Sequence, residues 1–392
     1  MLRCSDEQRR ARLALRHHLA PAARGDDVVA VAGDLVGLHA SDPASIVLAA
    51  EARMRGSAHA ALEDALYEER SLVRLIGMRR TMFVVPVALA AVVQASSTRG
   101  LVPGERRRFV AQLEAGGVTD DGAGWLAATE AATLAALAQR GEASTAELSA
   151  AVPALRAKVT VAPGRAYGGS QGVAWKVLFL LAADGHIVRG RPLGSWVSTM
   201  HRWAPMRGWL PGGIAELDTD AAAAELVRRW LAAFGPATMT DLKWWTGWTA
   251  GLLKRALAQI DTAEVALDGG ATGLVLAGDE APVAAPAPWA ALLPALDPTA
   301  MGWKERDWYL GAHREALFDR TGNIGPTVWW EGRIVGGWAQ RGDGELAVRL
   351  LEDVGADGAA AIDAEVARLH TRLGDLRVTP RFRTPLEREL AA

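Results

Sequence analysis

AAAAELVRRWLAAFGPATMTDLKWWTGWTAGLLKRALAQI, Ala221–Ile260, followed by DTAEVALDGGATGLVLAG, Asp261–Gly278, is the stretch on which the fold turns. Its apolar spacing predicts three helices. The first runs from about Ala221 to Phe234 and stops at Gly235-Pro236, Thr240 caps a short second, and Thr249 precedes the third. The β-branched runs AEVALDGG and TGLVLAG, joined through glycines, then predict a hairpin. Three helices followed by a hairpin is the layout of a winged helix.

The same order recurs upstream. In the middle block a helix is expected near Trp125–Arg140. A second begins at GEASTAELSAAVPAL (Gly141–Leu155), where Glu147 follows Ser144 by three residues as in a capping box. A third lies in SQGVAWKVLFLLAADG (Ser170–Gly185) and is stopped by Gly185. Arginine-bearing β segments follow in HIVRGRPLGSWVSTMHRW (His186–Trp203). The first block reads as helices at Ser5–Ala20, Asp27–Gly37, Pro43–Arg55 and Ala58–Tyr67, closed by the β-like run RLIGMRRTMFVVP (Arg74–Pro86). Beyond a Pro/Ala linker, Ala281–Trp289, TVWWEGRIVGGWAQR (Thr327–Arg341) reads as a hairpin and Ala359–Leu373 as a helix. The expectation is an α+β, mainly helical chain of three tandem winged helices, residues 1–110, 111–215 and 216–280, with a linker and C-terminal α+β region over 281–392.

Composition bounds the function. No apolar run has membrane character, and MLRCSDEQRRARLALRHHL lacks an apolar core of signal-peptide length, so a cytoplasmic protein is expected. One cysteine, Cys4, excludes an intrachain disulfide and a cysteine metal cluster, and the eight histidines form no ligand-spaced set, so neither metal nor cofactor is expected. The net charge of −2 conceals polarity. Residues 151–210 hold eight Arg or Lys (Arg156, Lys158, Arg165, Lys176, Arg189, Arg191, Arg202, Arg207) against Asp184 alone, and residues 1–110 carry sixteen basic against twelve acidic side chains. Basic and aromatic residues interleave from Lys176 to Trp209, as on a surface that contacts phosphates with arginine and stacks or fills with tryptophan. Core packing is the competing reading for each tryptophan.

Several blocks together resemble the bacterial winged-helix DNA glycosylases of the AlkZ/YcaQ type. They are LVGLHASDP (Leu35–Pro43), LIGMRRTMFVVP (Leu75–Pro86), GSWVSTMHRWAPMRGWLPGG (Gly194–Gly213), DLKWWTGWT (Asp241–Thr249), LLPALDPTAMGWKERDWYL (Leu292–Leu310) and LFDRTGNIGPTVWWEGRIVGGW (Leu317–Trp338). The resemblance spans essentially the whole chain. It implies three winged helices framing a basic concave surface, and hydrolysis of the N-glycosidic bond of alkylated purines, including bulky adducts and interstrand crosslinks. It also implies a Gln-apolar-Gln or Gln-apolar-Asp motif at the end of a first-domain helix. Here His39-Ala40-Ser41 stands in that place, and both outer positions depart from the pattern.

On a continuing helix, residues 39 and 41 would point about 200° apart. Pro43 disfavours helix at Asp42, so the helix is expected to end there and expose His39 and Ser41 on one side of an extended exit. A neutral imidazole can position a water and accept its proton, and Ser41 can hold that water or the ring. The structural alternative is a turn plus an N-cap for the next helix; Asp42 is read as that cap, with a reserve role as the water-activating carboxylate. Catalytic roles are therefore expected for His39 and Ser41. DNA contacts are expected from Arg79, Arg80, Lys176, Arg189, Arg191, Arg202, Trp203 and Arg207. A covalent lyase is disfavoured because no lysine precedes Lys158. The expected partner is double-stranded DNA carrying alkylpurine lesions, bound by a monomer. Two alternatives stand beside it: a non-catalytic winged-helix regulator, and a protein that sequesters a DNA-reactive small molecule.

Overall fold

The computed structural model describes residues 2–161 and 169–392; Arg165 of the basic segment lies outside them. The predicted three helices occupy Thr219–Phe234, Met239–Thr246 and Ala250–Leu257, and the hairpin pairs Thr262–Leu267 with Thr272–Leu276. Thr249 caps the third helix by accepting from Leu252 N–H. The second is capped by Thr238, not Thr240. Thr238 and Asp241 form a reciprocal capping box, and the Asp241 Oδ1 also accepts the amides of Lys304 and Glu305 at 2.8 Å. That second use of Asp241 ties the unit to a distant loop and selects the register of the cap. Leu2–Cys4 pairs in parallel with Thr262–Leu267, so the first residues of the chain complete the sheet of this unit.

The first and middle units share a connectivity that the third keeps only as the single bridge Ala237–Leu274. In each, a short strand leads into a helix and pairs with the second strand of the unit's hairpin, which forms the centre of a three-stranded sheet. The strands are Leu38–His39, Met82–Pro86 and Leu72–Ile76 in one, and Ala143–Ser144, His201–Pro205 and Ile187–Pro192 in the other. The Ser144–Glu147 capping box forms as its spacing predicts. In the middle unit Ser170–Gly172 is not helical, against expectation. Gly169–Gly172 pairs with Lys158–Val161 as an extra ribbon, and the helix spans Ala174–Ala183. Glycines at both ends of GSQG disfavour helix and leave only an exposed strand to form.

The C-terminal region is a four-stranded antiparallel sheet in chain order, Ala290–Leu293, Thr327–Trp330, Arg333–Gln340 and Leu346–Leu350, packed by helices Gly355–Leu373 and Pro385–Leu390. The Pro/Ala-rich segment before it is extended but docked. Gln8 clamps Val283 through both amide groups, at 3.1 and 2.9 Å. No helix among the described residues is long and apolar enough to cross a membrane.

One polar chain crosses the centre of this assembly. Arg53 forms a two-pronged pair with Asp297 at 2.7 and 2.8 Å, with both side chains 0% exposed. Arg53 also donates to Thr299 Oγ1 (2.8 Å) and to Ala49 O. His17 Nε2 faces the Ala233 carbonyl at 3.2 Å and must donate, so its Nδ1 accepts from Thr299 at 2.8 Å. Burial and nearby Arg53 push the His17 pKa well below its ordinary value, which keeps the ring in this neutral form. Removing one partner of a buried pair strands the other charge. Arg53→Met is therefore expected to destabilise by about 3–5 kcal/mol, and Arg53→Met with Asp297→Leu by clearly less. Denaturant midpoints of the two variants provide the comparison.

Candidate active site

The helix Val28–Asp34 stops well before the motif. Val36 and Gly37 adopt positive φ (54° and 107°), and a side chain at Gly37 would meet Val85 Cγ1 at 2.8 Å. This turn, not Pro43, redirects the chain. Leu38 and His39 then pair with Val84 and Phe83, and Ala40 N–H donates to Met82 O at 2.7 Å. The motif is thus an edge strand rather than a helix end. Pro43 instead begins helix Pro43–Glu51, where Asp42 is the N-cap. The strand ends at His39, and Ser41 and Asp42 form a bend, so the alternation of an extended segment does not carry through to Ser41.

His39 is only 6% exposed, against the expectation of an exposed imidazole. Its ring meets Phe83 edge-on at 5.3 Å and its Nδ1 is buried without a hydrogen-bond partner. Burial, and secondarily the Arg79 guanidinium, lower its pKa to about 3. Ser41 is half-buried, and its Oγ accepts the Met82 amide through a long contact of 3.4 Å. Asp42 is fully engaged as a cap. Its oxygens accept Ala44 N–H (3.2 Å) and Arg381 N–H (2.9 Å), while burial raises its pKa against those two bonds.

Two groups of arginines flank this strand. On one side the turn Met78–Arg80 places Arg79 and Arg80 at positive φ, 54° and 62°. Two consecutive non-glycine residues in that region carry backbone strain. Arg79 lies 4.0 Å over the Trp244 ring, and buried Arg306 lies 4.7 Å from the same ring. Burial and Arg306 lower the Arg79 pKa to about 10. Arg80 points elsewhere and pairs with Glu105 at 2.8 Å. On the other side Arg381 donates from its side chain to Ser41 O at 3.3 Å, and Arg74 donates to the Tyr67 hydroxyl at 3.1 Å. Arg189 lies 5.4 Å over Trp203. Its pKa falls to about 10 through burial, Arg74 and Arg381, with no carboxylate opposing.

The remaining basic candidates are neutralised or displaced. Lys176 is buried with its ammonium on Glu105 at 2.5 Å, Arg191 pairs with Glu63 and Glu68, and Arg202 lies 3.6 Å from Glu147. Trp203 is a core residue whose indole N–H donates to Thr145 Oγ1 at 3.1 Å, so it is not a stacking surface. Arg207 is exposed. The linear charge count missed these pairs because the acids that form most of them come from the first block. Sequence reading also missed Arg74, Arg306 and Arg381. The lone arginine in SLVRLIG was a usable signal for Arg74, whereas TPRFRTP carries none.

A histidine whose folded pKa is lowered leaves the unfolded chain to bind a proton first as pH falls. The stability due to neutral His39 is thus complete above about pH 6.5 and is lost as pH falls toward 3. The His39 ring resonances should show no titration between pH 5 and 8 by NMR, and His39→Gln should lose less stability than the parent between pH 7 and 4.

The model of the AlkZ-like DNA glycosylases matches residues 32–372. The Streptomyces sahachiroi DNA glycosylase AlkZ has a similar structure, with a TM-score of 0.73, at 21% identity over 96% of this chain and 100% of that one. No curated protein sequence matches. The family model covers the motif strand, its flanking arginines up to Arg306 and most of the C-terminal sheet and helix, and the chain belongs to the AlkZ-like DNA glycosylase family.

Proposed function

We propose that this protein is a monofunctional DNA glycosylase that hydrolyses the N-glycosidic bond of bulky N7- or N3-alkylated purines. Interstrand crosslinks fall within the same chemistry, and protection against a genotoxic natural product is the setting in which it is useful. In this reading the three helix-and-hairpin units are winged helices, and a monomer binds the damaged duplex. The observation that carries it is the motif strand. His39 and Ser41, two residues apart where the strand gives way to a bend, are flanked by guanidiniums, and no carboxylate contributes to the lowered pKa of Arg79 or Arg189.

The chemistry asks little of the protein. An alkylated purine already carries positive charge and leaves readily, while the sugar becomes oxocarbenium-like. A catalyst must hold the lesion, orient a water and attract the phosphates on either side. His39, neutral at physiological pH, orients the water through hydrogen bonding, and Ser41 supplies a second contact. With its pKa near 3, proton abstraction by His39 is a minor contribution. Asp42 holds the helix start and the Arg381 backbone. The lyase alternative lacks a lysine amine from the first block, residues 1–110, which contain none.

For phosphate contacts the exposed, unpaired candidates are Arg207 and Arg381, with Arg79 at the strand. Arg80, Lys176, Arg191 and Arg202 are committed to acids. Arg207→Ala with Arg381→Ala should lower the slope of log K against log salt by about two units, and Arg191→Ala should barely change it. An unaltered slope in the double variant would put the DNA elsewhere.

His39→Ala should slow excision of a bulky N7-guanine adduct by about 10²-fold in single-turnover assays, the scale of a lost positioning contact, with little change in DNA affinity. His39→Gln should retain more activity than alanine, and the parent's rate should be flat from pH 5 to 8. A fully active His39→Ala would remove the motif from catalysis and favour a non-catalytic regulator. A bulky adduct should also be released faster than a methylpurine; the reverse order would defeat the proposed specificity.

A further inference from the structure

A cavity of about 200 Å³ lies between the first sheet and the middle unit. Its walls are mostly apolar, with Met82 from the first sheet and Leu178, Phe179 and Ile187 from the middle unit. Trp175, 55% exposed, stands at its edge although it belongs to a helix whose other large side chains are largely covered. Besides Thr145, whose Oγ1 takes the Trp203 indole N–H, three polar side chains line it: Arg74, Arg189 and His201. Each has a buried nitrogen with no hydrogen-bond partner, namely the Nε of Arg74 and Arg189 and the Nε2 of His201. Burial, Arg189 and Arg74 hold the His201 pKa down near 3, so the ring is neutral, and no carboxylate contributes to the shift of His201 or of Arg189.

Apolar walls with unneutralised, incompletely bonded arginines are costly unless something supplies both a hydrophobic body and an acceptor. A DNA phosphate offers the charge without the body, and a simple alkyl group the body without the charge. The volume is below the roughly 300–1,000 Å³ of pockets that enclose drug-sized ligands, and it suits an appendage of about two fused rings. Its position also matters. Met82 lines the cavity with its side chain while its amide meets Ser41 Oγ, and Arg381, which donates to Ser41 O, lowers the Arg189 pKa. The cavity therefore adjoins the motif strand, within reach of a group attached to a purine held there.

We propose that this cavity receives the flat aromatic part of the adduct, a ring system bearing an anionic or strongly hydrogen-bond-accepting oxygen, with Arg74 and Arg189 binding the oxygen and Trp175 covering the rings. The role as an adduct pocket rests on the glycosylase reading of His39 and Ser41; the ligand chemistry does not. The same groups would bind a free molecule of this class, so the two sources are tested separately.

Quinoline-6-sulfonate, titrated calorimetrically into the full chain without DNA, should bind with one-to-one stoichiometry, and the neutral quinoline-6-sulfonamide should bind at least about tenfold more weakly. Arg189→Met, which keeps the side chain's bulk, and Trp175→Ala, at an exposed position, should each weaken the sulfonate by about tenfold or more. No binding, or equal binding by both variants, overturns the proposal. In the second arm, excision of an N7-guanine adduct carrying an aromatic acid is compared with that of N7-methylguanine. Trp175→Ala should slow the first by about tenfold and leave the second unchanged; equal slowing of both overturns the adduct role. Sulfonate binding with excision of neither base would retain the site for a free aromatic anion and reject the glycosylase reading alone.

Discussion

The Arg53–Asp297 pair is the constraint on which the arrangement of the units depends. Each charge has been taken wholly out of water, so each is tolerable only while the other is in place. Arg53 follows the helix that begins at Pro43, immediately after the motif, whereas Asp297 belongs to the loop after the first strand of the C-terminal sheet. Thr299 and His17 extend the chain of donors and acceptors to the carbonyl of Ala233, in the first helix of the third unit. Apolar contacts alone would permit these pieces to slide. The directed bonds fix one register, and so fix the helix to which Asp42 and the motif strand are joined.

Around that frame, acidic residues decide which basic residues remain available. Glu105 gathers Arg80, Arg108 and Lys176, and Glu63 and Glu68 hold Arg191. Arg74, Arg189, Arg79 and Arg306 are left facing aromatic rings or one another. Cation–π contacts with Trp203, Trp244 and Phe318 partly offset their burial without neutralising them. A guanidinium against an indole stays attractive to an anion, and one against a carboxylate far less so. Net charge along the sequence therefore said little about where an anion would be attracted.

Local signals were legible where local physics decides. Ser144 with Glu147, Thr249, Gly185 and the glycine turn between the third unit's strands each satisfy backbone groups within a few residues, and each appears as its spacing implies. The failures share the opposite property. Leu2–Cys4 joins a sheet more than 250 residues away, Thr238 displaces Thr240 because Asp241 must also serve a remote loop, and Arg381 reaches the motif from near the C-terminus. The motif itself was read from a resemblance and placed at the wrong element. Val36 in a left-handed conformation ahead of Gly37 has no strong propensity signature, whereas Pro43 does, and the proline was given the turn that the preceding pair makes.

Finding the motif on a buried strand changes what its histidine means. An exposed imidazole would titrate near neutrality and invite a general-base assignment. One held near a pKa of 3 by burial and by Arg79 is, throughout the physiological range, an uncharged ring with one donor and one acceptor. A glutamine amide at the same edge strand would bring two donor hydrogens and a two-lone-pair acceptor, so the ring offers fewer hydrogen bonds from a more rigid body. Relative to the glutamine that the resemblance implies at this place, the ring keeps a polar edge and adds surface against Phe83. Ser41 is the larger departure. It is short, its hydroxyl already touches the Met82 amide, and its carbonyl, not its side chain, takes the Arg381 guanidinium, so that contact does not depend on which side chain stands here.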